Sequence, residues 1–548
     1  VATTEHDVVV VGAGPNGLVA ANLLADKGLD VVVLEAQPEV GGAVRSARDV
    51  HPDYVHDTFS SFYPLAAASG VMGGLGLEHH GLVWSHAPAV LGHPLPDGSW
   101  AMLHRDVDRT AASMEALGAG DGDRWRTWVE DWGRIGGPLV DALTTPFPPI
   151  RAGARVLAAL PGVGGMDYVR RLLEPASVLG RDGFGGPGPA LLFAGNAGHA
   201  DIPTDATGSG LMGLLMTMLG QTVGFPVPRG GAGELAAALT RRFTALGGEV
   251  RCSARVDRVL LRDGRAVGVR VEGGETVQAR RAVVADVVAP VLYGDLIPDD
   301  ELPARLRRRM RSFELDPGTV KVDWALDGPV PWASAPETAP GTIHLADSVT
   351  AITEATSQIT SHAVPAEPLL IVGQMTTADA TRSPAGTEAL WAYAHVPQDV
   401  RHDAGDGGIT GRWDRDDLER FADRMQRRLE AYAPDLASRV VARRVLGPRE
   451  LEERDANLVG GAINGGTSAI HQQLVFRPVP GNGRATTPVP GLFLASASAH
   501  PGGGVHGAPG ANAARAVLAE PALLRRTRPL VARLRGTRTH RRTPRSPR

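Results

Sequence analysis

Apolar runs and glycine breaks divide the chain into elements before any chemistry is considered. Asp7 is followed by four valines, Val8 to Val11, a run with no polar face that reads as a buried strand. A tight glycine turn, a helix and a second apolar run, Val31-Val32-Val33-Leu34, come next, and that run stops at Glu35. Residues 82–104 alternate as strands do, with a turn at Pro96-Asp97-Gly98. From about 106 to 225 the pattern is helical, broken by Gly and Pro. Within it Leu211–Leu219 is methionine-rich and too short to span a bilayer; it suits either a plain core helix or the wall of a cavity for a greasy ligand. A helix at 233–246 leads to Glu249–Val259 and Ala266–Glu272, which read as a β-hairpin turning at Arg262-Asp263-Gly264-Arg265. A second turn, Gly273-Gly274, precedes a strand at Ala282–Asp286. Further strands fall near 319–326, 343–347, 369–375 and 389–396, and a charged helix at about 414–432. Near the far end, Pro490–Ser496 holds a short apolar strand. A glycine-rich loop, His500–Gly507, and an Ala-rich helix through Asn512-Ala513-Ala514 follow it.

The first of these units has the layout of a dinucleotide-binding βαβ motif. In Gly12-Ala13-Gly14-Pro15-Asn16-Gly17, Gly12 permits the sharp turn, Gly14 lets backbone approach a pyrophosphate, and Gly17 allows close helix–strand packing. The helix aims its first amides at the phosphates, and Pro15 falls in its first turn, where a missing N–H costs little. Glu35 ends the second strand about 20 residues on, placed to bind ribose hydroxyls and to repel a 2′-phosphate. The pair Gly41-Gly42 favours FAD over NAD, because it lets the chain pass close to an extended flavin dinucleotide. The loop at His500–Gly507 again offers backbone amides and a helix N-terminus to a ligand. Three consecutive glycines there, Gly502 to Gly504, cost much backbone entropy for an ordinary loop.

At 548 residues the chain is long enough for a large core and two or three lobes. Its mean hydropathy of −0.07 is that of an ordinary soluble protein, and no run of about 18 apolar residues is present to form a transmembrane helix. The chain enters its first strand almost at once, leaving no room for a signal peptide, so a cytoplasmic protein with at most peripheral membrane contact is expected. Cys252 is the only cysteine, which excludes an intrachain disulfide, a CxxC pair and hence a flavin disulfide reductase. No His/Cys cluster has metal-site spacing, so no metal is expected. The net charge of −4 conceals a basic tail: residues 525–548 carry ten arginines and no acid. Interleaved with Thr, Ser and Pro, they read as a solvated, disordered tail or as a weak contact for anionic lipid. No recognition module accompanies them, so nucleic acid is not an expected partner.

These motifs together resemble the phytoene desaturase-like branch of the FAD-dependent amine oxidase superfamily. The type resembled most is pyridine nucleotide-disulfide oxidoreductase domain-containing protein 2, also called phytoene dehydrogenase-related. The resemblance rests on the N-terminal unit, on Phe225-Pro226-Val227-Pro228-Arg229-Gly230-Gly231-Ala232-Gly233, on 249–286 and on His500-Pro501-Gly502-Gly503-Gly504. Together these cover about half the chain. It implies an α/β fold: a discontinuous Rossmann-like FAD-binding domain (1–75, 226–300, 450–523) and a mixed-sheet substrate domain with a helical insert (76–225, 301–449), followed by the tail at 524–548. It also extends the expected FAD contacts to Asn16, Ala36, Ala43, Val256, Ser496, Gly503, Gly504 and Val505. Two departures stand out: Ala43 where many members carry Arg, and Ser496 where relatives carry Gly.

Only two of the 56 Lys and Arg residues are lysine, Lys27 and Lys321. By the resemblance, Lys321 in the strand Gly318–Leu326 holds a water near flavin N5; a lysine suits that place because its pKa falls on burial. The alternative is an edge-strand lysine facing water. His500 and His506 flank the glycine loop and either face the flavin ring or stabilise the loop. The implied activity is dehydrogenation of an elongated apolar substrate, a polyene, isoprenoid or lipid, by hydride transfer to flavin N5, with quinone or oxygen as electron acceptor. Flavin-dependent saturation or isomerisation, amine oxidation, and a non-catalytic flavin-stabilised binding protein remain as alternatives.

Overall fold

The computed structural model describes residues 3–181 and 183–520; the basic tail at 524–548 lies outside them. The chain begins β1 (Thr3–Val11), α1 (Pro15–Ala25), β2 (Val31–Leu34), β3 (Ala89–Pro94) and β4 (Trp100–Leu103). A helical block follows: α2 (Asp121–Thr144), α3 (Ile150–Ala159), α4 (Met166–Leu173), α5 (Pro187–Ala197) and α6 (Ser209–Thr222). Next come α7 (Gly233–Ala245), β5 (Glu249–Arg251), β6 (Val256–Arg262), β7 (Arg265–Val271) and β8 (Thr276–Ala285). The remaining elements used below are β9 (Gly318–Leu326), β10 (Pro340–Leu345), β11 (Leu370–Gln374), β12 (Glu388–Val396), α8 (Arg415–Glu430), β13 (Val440–Leu446) and β14 (Leu492–Leu494). A last helix occupies 508–520.

One seven-stranded sheet runs in the order β6-β7-β8-β1-β2-β5, with β14 paired to the free side of β8's end. β1 is parallel to both β2 and β8, which makes it an interior strand with both faces covered. Val8 and Val10 pack with Leu18, Leu24, Leu239 and Phe243 of α1 and α7. Val9 and Val11 pack on the opposite layer, with Val259, Val269 and Leu292. That two-sided burial is why four valines stand in a row. The hairpin expected from Glu249–Val259 is divided. Glu249–Arg251 pairs in parallel with β2, and only Val256–Arg262 pairs with β7. The cause is a long-range contact: Arg251 and Ala254 bond to the Glu35 backbone, and Ser253 adopts φ 53 so that the chain turns around the end of β2.

The second sheet runs β13-β9-β12-β11-β10-β3-β4. Only its β10–β3 pair is parallel, so it is mixed, as expected. Along β9, Val320, Val322 and Trp324 pack against Phe421, Met425 and Leu429 of α8. Period-2 alternation therefore turns Thr319, Lys321 and Asp323 to the other face. The helical block has its own core around Trp125, Trp132, Phe193 and Met218 and joins this sheet through Leu91 and Leu103.

A buried ion network ties the two sheets together. Arg382 bonds Asp57 Oδ2 and Asp379 Oδ2, each at 3.0 Å, with all three side chains out of solvent. Asp57 Oδ1 accepts from Ser46 Oγ (2.7 Å) and the Ala232 N–H (2.8 Å), so the Pro226–Gly233 segment is clamped to the segment that follows the N-terminal motif. Every charge has a partner, which is the condition for burying such a group.

Candidate active site

The N-terminal motif forms a cradle that excludes side chains. A Cβ on Gly12, whose φ is +96°, would lie 2.8 Å from the Asp286 carbonyl oxygen. One on Gly17 would lie 2.2 Å from the Gly12 oxygen, and one on Gly42 would lie 3.1 Å from Gly14 Cα. Turn, helix and glycine pair thus close on each other through bare backbone. Gly14 begins α1 in an extended conformation with no side-chain cap, and Pro15 takes the first helical position. Glu35 is buried, and its two carboxylate oxygens accept from the Ala13 N–H (2.7 Å) and the Gln37 N–H (2.8 Å). That fixes the carboxylate and leaves lone pairs for ribose hydroxyls. Asn16 Oδ1 is buried without a protein donor, which suits a ligand hydroxyl. These residues fit FAD: Gly12, Ala13 and Gly17 spend their N–H groups within the protein and Pro15 has none, so the Gly14 and Asn16 amides would hold the pyrophosphate and Glu35 the ribose.

A cavity of about 420 Å³ extends from the glycine loop to the second sheet and the helical block. Ala43 and Gly502–Val505 line one end; Lys321, Trp391 and Tyr393 come from the second sheet; Leu172, Leu211, Met212, Leu215 and Met216 come from α4 and α6. The methionine-rich run therefore serves both expected uses, since Met218 and Leu219 sit in the helical core. Phe59–Leu65 also line the cavity.

Lys321 is an interior residue, flanked by β12 and β13, which removes the edge-strand alternative. Its Nζ donates to the Asp57 carbonyl (2.9 Å) and pairs with Asp323. Arg444 holds the other Asp323 oxygen at 2.7 Å. Burial lowers the Lys321 pKa, against the opposing pull of Asp323. His500 donates Nε2–H to the Thr145 carbonyl at 2.8 Å, and its Nδ1 has no partner among the described residues. His506 is different. Its Nε2–H donates to Gly503 O (3.1 Å), its Nδ1 accepts from the Ala508 N–H (3.1 Å), and burial pushes its pKa down to about 4. With both nitrogens spent on its own loop, His506 is a loop-stabilising residue and not a proton-transfer group. Of the other expected contacts, Ala36 follows Glu35, and Ser496 is buried with its Oγ accepting from the Ser498 N–H. Val256 belongs to the apolar layer under the first sheet.

Three organising residues were not expected from the sequence. Asp316 accepts from the N–H groups of Ile463, Asn464 and Gly466, which shapes a turn beside the glycine loop. Arg477, fully buried, donates to the carbonyls of Asn464, Gly466, Thr467 and Ala497, and burial lowers its pKa to about 10. Asp286, at the end of β8, accepts the Gly17 N–H at 2.8 Å from inside the dinucleotide cradle. Burial pushes its pKa up to about 8; the Gly17 N–H opposes this, and Asp455 and Glu35 add to it.

Comparison with known proteins agrees with this geometry. Residues 10–69 match an NAD(P)-binding Rossmann-like domain, and residues 169–390 match the flavin containing amine oxidoreductase family. The chain is 29% identical to the pyridine nucleotide-disulfide oxidoreductase domain-containing protein 2 of Rattus norvegicus, over 94% of this chain and 93% of the relative. It is 26% identical to a phytoene desaturase of Fusarium fujikuroi, over 91% and 87%. Putrescine oxidase bound to putrescine has the same fold, with a TM-score of 0.57 at 18% identity, over 95% of this chain and 100% of that one. The chain is an FAD-dependent oxidoreductase, similar to the flavin-containing amine oxidase family over residues 169–390 and to phytoene desaturases over most of its length.

Proposed function

We propose that the enzyme converts a carbon–carbon single bond of an elongated apolar substrate, a polyene, isoprenoid or lipid, into a double bond. The composition of the cavity carries this reading. Among the described residues that line it, Lys321 is the one Lys or Arg, and there is no carboxylate. An ammonium substrate would enter without a counter-charge and lose its hydration, whereas a hydrocarbon chain gains from burial. Nor do Trp391 and Tyr393, the aromatic pair beside Lys321, form a slot. Trp391 and Tyr393 stack on each other with centroids 5.9 Å apart, less than the roughly 7 Å needed to sandwich a substrate group between two faces.

Bound FAD supplies the two-electron acceptor for the hydride. The protein orients the chain along the cavity and excludes water from it. Lys321 positions a water: two of its three ammonium donors are engaged by Asp57 and Asp323, and the third remains for a solvent molecule. His500 stays neutral on burial and lies within the cavity wall as a candidate proton acceptor. Quinone or oxygen completes the cycle as electron acceptor.

No helix among the described residues is long and apolar enough to cross a membrane. Exposed apolar side chains instead gather on α3 and α4 (Ile150, Leu157, Met166, Leu173) and at Ile470 and Phe476. Leu173 and Ile470 also line the cavity, which supports delivery of the substrate from a lipid surface. Anaerobic mixing with phytoene in detergent micelles, against putrescine as the cationic control, tests the reading. Bleaching of the flavin by phytoene alone is expected. Bleaching by putrescine alone would replace it with amine oxidation.

A further inference from the structure

We propose that the substrate carries an oxygen acceptor, a carbonyl or hydroxyl oxygen, and that the Tyr393 hydroxyl is the donor that binds it. The inference rests on the apolar-substrate reading and narrows it.

Strand register builds the site. Lys321 on β9 pairs with Tyr393 on β12, Tyr393 with Ile371 on β11, and Ile371 with His344 on β10. Directly opposed residues share a face, so these four side chains form one row across the sheet. Lys321, Tyr393 and Ile371 line the cavity. His199, in the turn after α5, lies over the end of the row. Its Nε2 is 2.8 Å from His344 Nε2, and its Nδ1 is 3.2 Å from Tyr393 Oη.

The direction of these bonds follows from the one nitrogen that has no partner. His344 Nδ1 is buried and unpartnered among the described residues, pressed against Gly195 of α5, where an added Cβ would lie 2.4 Å away. An orphaned N–H costs more than an orphaned lone pair. His344 therefore carries its proton on Nε2 and donates to His199 Nε2. His199 must then carry its proton on Nδ1 and donate to Tyr393 Oη. His56, His93 and His500 show the same preference: each places Nε2 against a backbone carbonyl and leaves Nδ1 without a partner.

The chain of donors ends at Tyr393. Its oxygen is occupied as an acceptor, and its own proton has no acceptor among the described residues. Burial keeps the phenol protonated by raising its pKa, and holds His199 neutral by lowering its pKa to about 4. Thr342 Oγ1 and Trp391 Nε1, on the same sheet face, are also without partners among the described residues. A pure hydrocarbon would leave this donor unsatisfied; an oxygen within hydrogen-bond reach of Tyr393 Oη, one strand over from Lys321, would satisfy it.

The test compares farnesal, an acceptor-only isoprenoid, with β-farnesene, its hydrocarbon counterpart. Both are titrated into the FAD-loaded protein in one detergent, with perturbation of the flavin absorbance as the readout. Farnesal is expected to bind about tenfold tighter, the worth of one hydrogen bond. Tyr393→Phe keeps the ring and should bring the ratio to about one. Histidine ring ¹⁵N shifts of the wild-type protein supply a second readout that needs neither variant nor ligand: His199 protonated on Nδ1 and His344 bare on Nδ1. Equal binding of the two probes would overturn the proposal and leave the apolar-substrate reading standing. Failure of both to bind would overturn the two together. A bare His199 Nδ1 would overturn the donor assignment directly.

Discussion

Asp286 makes the dinucleotide cradle sensitive to pH in a direction that one substitution isolates. Its carboxyl is buried beside Gly12, Gly14 and Gly17, and its pKa lies at about 8 against an ordinary 3.8. The native state therefore keeps a proton that the unfolded chain releases. The stabilising contribution is complete below the unfolded value and is lost as pH rises through the folded one. Each pH unit inside that window costs about 1.4 kcal/mol, so the whole window is worth of order 5 kcal/mol. Asp286→Asn copies the protonated carboxyl. The amide oxygen keeps the Gly17 N–H, and the NH₂ takes the place of the protonated oxygen. Urea unfolding of wild type and variant should give matching stabilities near pH 4, then diverge as pH rises, with the variant more stable by several kcal/mol near pH 8. The same substitution should flatten the loss of FAD in alkaline buffer, since an ionised Asp286 would face the pyrophosphate charge. Parallel curves for the two proteins from about pH 5 to about pH 8 would refute the reasoning.

Two further substitutions test the residues that organise the flavin side of the cavity. Lys321→Met should cost about 3 kcal/mol, the low end for a broken buried pair, because Asp323 keeps Arg444. It should retain FAD while slowing flavin turnover about 10²-fold, read by stopped-flow absorbance. Arg477→Lys should lose about 3 kcal/mol in thermal unfolding, the worth of one or two charge-assisted hydrogen bonds, and release FAD more readily. An ammonium has three donors and no planar fork, and cannot hold the carbonyls of Asn464, Gly466, Thr467 and Ala497 together.

What the sequence shows of this molecule is what local pattern determines. The β1–turn–α1 unit is legible because its glycines, proline and acidic stop each answer to a backbone requirement within a few residues. Lys321 is legible because arginine is the cation at all but two of this chain's Lys and Arg positions. The hairpin at 249–262 is misread because its break depends on the bonds of Arg251 and Ala254 to Glu35, more than two hundred residues away. Asp286 ends a recognisable strand, yet only the pairing of Ala285 with Val11 carries it into the cradle. Arg477 and Asp316 have no local signature at all. One is an arginine among many, and the other acts on amides at 463–466.

The same logic explains why stability and chemistry are joined at β9. Its apolar residues, Val320, Val322 and Trp324, seat it against α8. Its odd-numbered partners, Thr319 and Lys321, reach the cavity, and Asp323 anchors Lys321. A slip of one residue would place the ammonium in the α8 core and turn Trp324 or Val322 into the cavity, at the cost of both packing and charge pairing. The register that buries the strand therefore also positions Lys321 beside Tyr393. No separate device is needed to align the row, because each hydrophobic contact with α8 holds the polar residues of the opposite face in place.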